Sequence, residues 1–401
     1  MPSRELSFPV FDADNHFYEP DDCFTRHIDP QDRDLALRLE EVPGTGVRRW
    51  GLNGRYLGFI EHNPADRILP PGAIAGLFAG KADYSGNGVE PISAFNEPAF
   101  MHRTERLALM DRQNMEAALF IPSMAVLIEG DFAETPRVVT ANYRAFNRWL
   151  EEEWGYGADG RIFGVPLLTL LDLDWAIEEL ERVASLGAKS FYVKTGPVGD
   201  LSPADPTFDP LWARVQEIGI HPVFHIGDNV FAKLYAAHWG EDPDRSHSRF
   251  SPLQHLLCNG ERPISDTLAA LVLHNLFGRF PGIKVLSVEH GTSWVPPLLK
   301  LMDKSAMMGR NGVWPFGRLD AEPSEVFREH VYLTPYPEDD VKRIVEIMGA
   351  DHVLLGSDYP HPEGVTEPRD FLDLLEGLPE SDVRLILRDN LAGLLGLATT
   401  R

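Results

Sequence analysis

What most constrains this chain is its alternation. Eight short, mostly apolar runs fall at 9–16, 116–122, 163–170, 188–194, 221–226, 284–289, 331–335 and 352–358. Segments with helical spacing lie between and after them, at 103–115, 137–154, 173–186, 209–218, 265–277, 294–307, 338–348, 371–377 and 383–395. Continuous apolar runs read as strands covered on both faces. Strict strand–helix alternation implies a parallel sheet. Eight such units predict an α/β fold, a closed (β/α)8 TIM barrel with irregular insertions after strands 1, 5 and 6. Functional side chains of such a barrel gather at the C-terminal ends of its strands. An open, doubly wound sheet is the alternative, but no Gly-x-Gly-x-x-Gly follows the first strand, which counts against a dinucleotide-binding version.

The chain has 401 residues, of which 43% are hydrophobic, enough for one large barrel spanning 1–401. Residues 20–100 lack a clear period and are rich in turn formers, such as Pro70-Pro71-Gly72 and Tyr84-Ser85-Gly86-Asn87-Gly88. They read as an insertion covering one end of the barrel. Trp50, Tyr56, Phe59, Phe78 and Phe95 either line a pocket there or, for most of them, pack the insertion down. A net charge of −24 argues against a nucleic-acid partner, because phosphate binding needs a basic face. No apolar run is long enough to span a membrane. Two cysteines, Cys23 and Cys258, make no disulfide framework. With no secretory pattern at 1–9, a cytoplasmic protein acting on a small molecule is expected.

The strand ends carry the chemistry. Alternation along the first strand puts Val10, Asp12, Asp14 and His16 on one face. Three buried polar groups on one face are costly unless something binds them, and a metal ion is the simplest partner. Glu19 follows just beyond. The fourth strand ends in Lys194, the fifth in His225, the sixth in Glu289-His290-Gly291. The eighth delivers Asp358 within Gly356-Ser357-Asp358-Tyr359-Pro360-His361-Pro362-Glu363-Gly364. Singly, each has a bland reading: Asp358 as a helix cap, His361 as a loop residue, Lys194 in a rim ion pair. Together, on one rim, they are what a metal site in a barrel requires. Glu289 and His290 are adjacent and cannot both face inward from a regular strand. One of them faces the helices, or the strand ends there.

In this order the motifs resemble the amidohydrolase superfamily, in its amidohydrolase-related branch with aminocarboxymuconate-semialdehyde and resorcylate-type decarboxylases. The resemblance runs from about Val10 to Leu395. Asp14-x-His16 takes the place of the family's His-x-His, and His225 that of its strand 5 histidine. Asp358 in Gly-Ser-Asp-Tyr-Pro takes the strand 8 position, and 389–395 resembles the closing helix. Two residues depart from the pattern: Asp14 and Glu289 stand where the family usually has histidine. The resemblance implies divalent metal held by Asp14, His16, Glu19, His225, Glu289 and Asp358. His290, His361 and Lys194 are then the catalytic candidates. Lys194 is a carboxylated bridge, a charge for a substrate anion, or a structural rim cation.

A carboxylate-rich set suits iron or manganese better than zinc. The opening Asp-x-His-x-x-Glu-Pro is also similar to members of this group that are non-haem di-iron monooxygenases of terpenoid biosynthesis. The reading expected is therefore two metals, iron favoured, in a monooxygenase hydroxylating an apolar small molecule. The alternative is a zinc or manganese hydrolase or decarboxylase of a small carboxylate. A barrel that has lost its metal is disfavoured by the inward carboxylates. Barrels of this family often pair, so a homodimer is expected.

Overall fold

A computed structural model describes residues 6–78, 80, 88–227 and 230–398. The run 84–87 and the side chain of Phe78 lie outside it. In chain order the strands are β1 (Val10–Phe17), β2 (Arg38–Glu41), β3 (Arg48–Leu52), β4 (Arg55–Tyr56), β5 (Met115–Pro122), β6 (Ile162–Gly164), β7 (Ser190–Tyr192), β8 (His221–His225), β9 (Val285–Val288) and β10 (Val331–Leu333). All but β2–β4 belong to the barrel. Two parallel sheets, in the orders β1-β5-β6 and β10-β9-β8-β7, form most of its wall. A parallel bridge between Leu167 and Tyr192 joins them on one side. On the other, a segment over 353–359 bridges Leu333 through Val353 and Asn15 through Tyr359. Eight wall segments thus close a (β/α)8 TIM barrel.

The last of them is less regular than the sequence predicts. Ala350–His352 form a 3-10 turn, and no strand ladder runs through 353–358. Single hydrogen bonds hold it instead: Leu354 N to Leu333 O at 2.9 Å, Ala13 N to Leu355 O at 2.8 Å, Asp358 N to Asp14 O at 2.9 Å and His16 N to Tyr359 O at 2.8 Å. At its end Asp358 leaves the strand path with a left-handed backbone, φ +54°.

The walls follow from residue type. All eight residues of β1 are buried, as both faces of a barrel strand must be. The helix Leu173–Ser185 is capped by Asp172, whose side chain accepts from Trp175 N at 3.1 Å, and it buries Trp175, Ala176, Leu180 and Val183. The insertion after β1 is more ordered than its composition suggests. β2, β3 and β4 form an antiparallel sheet, and Trp50 packs edge-on against Phe24 at 5.0 Å. Trp50 therefore packs the insertion down, whereas Phe95 is exposed. The insertion after β8 contains the helices Val230–Leu234 and Pro252–Cys258. The segment before β10 ends in the helix Pro323–His330, which the sequence reading leaves irregular. No described helix is long and apolar enough to cross a membrane.

Gly356 marks the tightest point of the closure. A Cβ there would lie 2.7 Å from Thr334 Cβ and 3.2 Å from Asp14 Cβ. Gly356→Ala should wedge the eighth segment from its neighbours and cost about 1–3 kcal/mol, read as a lower urea midpoint.

Candidate metal centre

Four wall segments bring their polar ends together. β1 supplies Asp14 and His16, β8 supplies His225, the end of β9 supplies Glu289, and the eighth segment supplies Asp358, His361 and Glu363. Their ligand atoms fall into three overlapping groups: Asp14, His16 and His225; His16, Asp358 and His361; Glu289, Asp358 and Glu363. The imidazoles are in contact, His16 stacking on His361 at 4.1 Å and meeting His225 edge-on at 5.0 Å.

Hydrogen bonds settle which ring nitrogens face the cavity. Nδ1 of His16 lies 3.0 Å from Ile121 O, and Nδ1 of His225 lies 2.6 Å from Ile226 O. A carbonyl oxygen only accepts, so both Nδ1 atoms carry hydrogen and, in the neutral rings, both Nε2 atoms offer bare lone pairs. Those lone pairs face carboxylate oxygens, which only accept once ionised. His16 Nε2 is 3.0 Å from Asp14 Oδ1 and 3.4 Å from Asp358 Oδ1. His225 Nε2 is 3.0 Å from Glu289 Oε2 and 3.5 Å from Asp14 Oδ1, yet it is buried without an aligned hydrogen bond. With the carboxylates ionised, acceptors face acceptors, and a shared cation would pair them. A carbonyl on Nδ1 with Nε2 turned inward is also how metal-binding histidines are held. The donor set therefore fits a divalent metal ion.

The electrostatics agree. Burial holds His16 down to about 3, helped by the neighbouring His361, so its ring stays neutral. Glu289 and Asp358 are pushed well above the usual carboxylate range, first by burial and then by the carboxylates around them. Without a cation these groups hold protons that a metal would displace. Glu289 and Asp358 also share a left-handed backbone, φ +55° and +54°. For residues other than glycine this costs about 1–2 kcal/mol each. Such strain persists only where the surroundings enforce it. At Glu289 they do: Tyr336 Oη donates to its carbonyl at 2.6 Å, and Thr334 Oγ1 accepts its N–H at 3.0 Å.

The left-handed turn resolves the Glu289–His290 ambiguity. β9 ends at Val288, so strand alternation no longer applies. Glu289 joins the cluster. His290 is in none of the three ligand groups; its Nδ1 lies 3.4 Å from Ser287 Oγ, and burial holds it down to about 3.

Two further candidates stand apart from the cluster. Glu19 spends Oε1 on the backbone N–H groups of Met124 and Ala125, at 2.8 and 3.1 Å, which fixes the loop after β5. Burial raises it to about 7, those N–H groups partly opposing. Glu19 Oε1 thus anchors that loop, while its Oε2 is buried without a hydrogen-bond partner and Glu19 stands in none of the three ligand groups. Lys194 turns into its own loop, donating to Thr195 O at 2.8 Å and Pro197 O at 3.3 Å. No described carboxylate lies within ion-pair distance of it, so the rim ion-pair reading finds no partner among the described residues.

Two residues of the site escape sequence reasoning. Glu363 lies five residues past Asp358, a spacing that matches neither strand nor helix. Only the turn folds it back, through Gly364, where a Cβ would sit 2.5 Å from Ser357 O and 2.9 Å from Asp358 Cβ. Ser123 comes from the end of β5. Its Oγ donates to Phe17 O at 2.7 Å and meets His361 Nε2 at 2.9 Å, while His361 Nδ1 lies 2.7 Å from Asp358 Oδ1. Nothing in the sequence signals it.

Imidazoles and carboxylates converging on the C-terminal rim of a (β/α)8 barrel define a metal-dependent barrel enzyme. An amidohydrolase family model matches residues 96–397, and the chain belongs to that family. The structure is similar to that of an amidohydrolase from Mycobacterium avium subsp. paratuberculosis K-10, with TM-score 0.89 and 33% identity over 98% of this chain and 100% of that one. It shares its fold with 5-carboxyvanillate decarboxylase from Sphingomonas paucimobilis, with TM-score 0.62 and 17% identity over 98% and 100% of the two chains. The same holds for a dihydroxybenzoic acid decarboxylase from Polaromonas sp. JS666 with bound manganese and 2-nitroresorcinol, with TM-score 0.57 and 20% identity over 81% and 93%. No curated protein matches the sequence.

Glu289→Ala and His225→Ala should each empty the site by elemental analysis, while His290→Ala keeps most of the metal. The opposite pattern would put His290 at the ion. Because Glu289 and Asp358 hold protons longer than ordinary carboxylates, Mn2+ should bind more tightly as pH rises from 5.5 to 8. Calorimetry in two buffers of different ionisation enthalpy should show proton release on binding.

Proposed function

We propose that the protein is a divalent-metal-dependent hydrolase or decarboxylase of a small carboxylate substrate, working without dioxygen. One observation carries the reading: the bare Nε2 atoms of His16 and His225 meet carboxylate oxygens at 3.0–3.5 Å. Asp14, His16, His225, Glu289 and Asp358 would hold the ion. Manganese and zinc are the metals favoured, manganese because it is bound in the decarboxylase from Polaromonas. When bound, the ion supplies Lewis acidity toward a substrate oxygen and acidifies its water.

The remaining chemistry belongs to the chain. Lys194 Nζ has two carbonyl partners, which leaves one N–H for a substrate carboxylate. Ser123 gives its own proton to Phe17 O, so its oxygen takes the Nε2–H of His361. That leaves His361 Nδ1 facing Asp358 Oδ1, and with Asp358 ionised at the metal the proton of the pair would sit on His361. In decarboxylation the bond to the departing carbon dioxide leaves its electron pair on carbon. The Asp358–His361 pair is placed to deliver the proton that carbon needs. In hydrolysis the same pair protonates the leaving group.

A second reading is a di-iron monooxygenase of an apolar molecule. The all-carboxylate group of Glu289, Asp358 and Glu363 favours it, since beside the histidine group it would accept a second, hard cation. Reconstitution separates the two. Metal-stripped protein loaded with Mn2+ or Zn2+ should turn over aryl or alkyl carboxylates under argon. Activity found only with iron and dioxygen would sink the first reading and support the second. His361→Asn should lower kcat about 10²–10⁴-fold with metal content unchanged.

A further inference from the structure

Alternation places Asp12 on the face of β1 that carries Asp14 and His16, so it has the address of a metal ligand. Its contacts exclude that role. Oδ1 accepts from Asp14 N and Ser357 N, both at 3.1 Å. Oδ2 accepts from Asn15 Nδ2 at 2.9 Å and Ser357 Oγ at 2.5 Å. A carboxylate offers about four lone-pair directions, and all four are taken.

The partners extend the network in both directions. Asn15 Oδ1 accepts from Arg106 Nη1. Arg106 also donates from Nη2 to His16 O at 2.8 Å and from Nε to Ala99 O at 2.5 Å. Its guanidinium is fully buried, with the rings of Phe120, Trp154 and Tyr359 at 5.2, 6.0 and 5.6 Å. At the far end, Ser357 Oγ accepts from Tyr359 N at 3.1 Å, and Tyr359 O accepts from His16 N. A continuous chain of polar contacts therefore runs from the helix Arg103–Arg112, through β1, into the eighth segment. It touches the backbone of Asp14 and His16 and ends on the residue before Asp358.

We infer that Arg106, Asn15, Asp12 and Ser357 form a positioning clamp, which aims Asp14, His16 and Asp358 at one bound divalent cation. Asp12 ties Asp14 N and Ser357 N to a single oxygen and so sets the spacing of two ligand-bearing strand ends. Arg106 holds the carbonyl of His16 and orients Asn15, whose amide then presents its N–H to Asp12. None of the four needs to contact the metal. The inference rests on the metal-site reading above, which no residue of the clamp is needed to support.

The test is Mn2+ titration of metal-stripped full-length protein by calorimetry, with thermal melts of the same samples. Asp12→Asn sets an N–H against the N–H and O–H donors around it, and Ser357→Ala removes one of them. Arg106→Lys keeps the charge but cannot span Asn15, His16 and Ala99 together. Each variant should remain folded and bind Mn2+ about 10–100-fold more weakly, the range for losing a group that supports a ligand. If Arg106→Lys and Ser357→Ala bind within twofold of the wild type while melting lower, the network is only structural and the inference fails. It fails also if Asp12→Asn alone loses all metal, which would make Asp12 a ligand. A wild-type chain that binds neither Mn2+, Zn2+ nor Fe2+ would instead overturn the metal centre itself, and the clamp with it.

Discussion

The barrel closes where β1 meets the segment over 353–359, and the site depends on that seam. Three backbone hydrogen bonds cross it, from Ala13, His16 and Asp358. They put Asp14, His16 and Asp358 side by side on one rim. A long, regular ladder would have been the stronger joint. Asp358 leaves the strand path with a left-handed backbone, and side chains take over: the buried carboxylate of Asp12 binds both strands at once. The seam thus gives up regular pairing in return for aiming a ligand inward.

The site concentrates charge where water is scarce. Asp14, Glu289, Asp358 and Glu363 share a small volume with three imidazoles. Unpaired buried carboxylates are costly, and most of their neighbours here are ring nitrogens and other carboxylates. A divalent cation would pair these groups once the raised carboxyls of Glu289 and Asp358 give up their protons. Belonging to the amidohydrolase family and a donor set that fits a cation are independent observations, and they agree. Chemistry then depends on the residues around the ion. Among the described residues Lys194 Nζ has two carbonyl partners, and Ser123 lies 2.9 Å from His361 Nε2.

Much of this was legible beforehand. The barrel followed from eight apolar runs in alternation with helices, because burial on both faces leaves an unmistakable pattern. Asp14, His16, His225, Glu289 and Asp358 were legible because each sits at or just past a strand end, where position along the chain predicts position in space. Glu19 sits close by too, but backbone N–H groups of a neighbouring loop take one of its two oxygens. Glu363 and Ser123 were missed because turns and loops, unlike strands, carry no period that says which way a side chain points.

The alternation of hydrophobicity by itself determined the barrel, its rim and the kinds of group gathered there. Local sequence suffices for this, since strand and helix periods are properties of neighbouring residues. Only the tertiary structure decided which of Glu289 and His290 turns inward, and why Asp12 does not bind metal although it shares a strand face with Asp14. Both depend on residues far away in the chain. Tyr336 and Thr334 hold Glu289 in its left-handed turn, and Ser357 saturates Asp12 from 345 positions away. Hydrogen bonds between distant segments are written in three dimensions, and no window of sequence contains both partners.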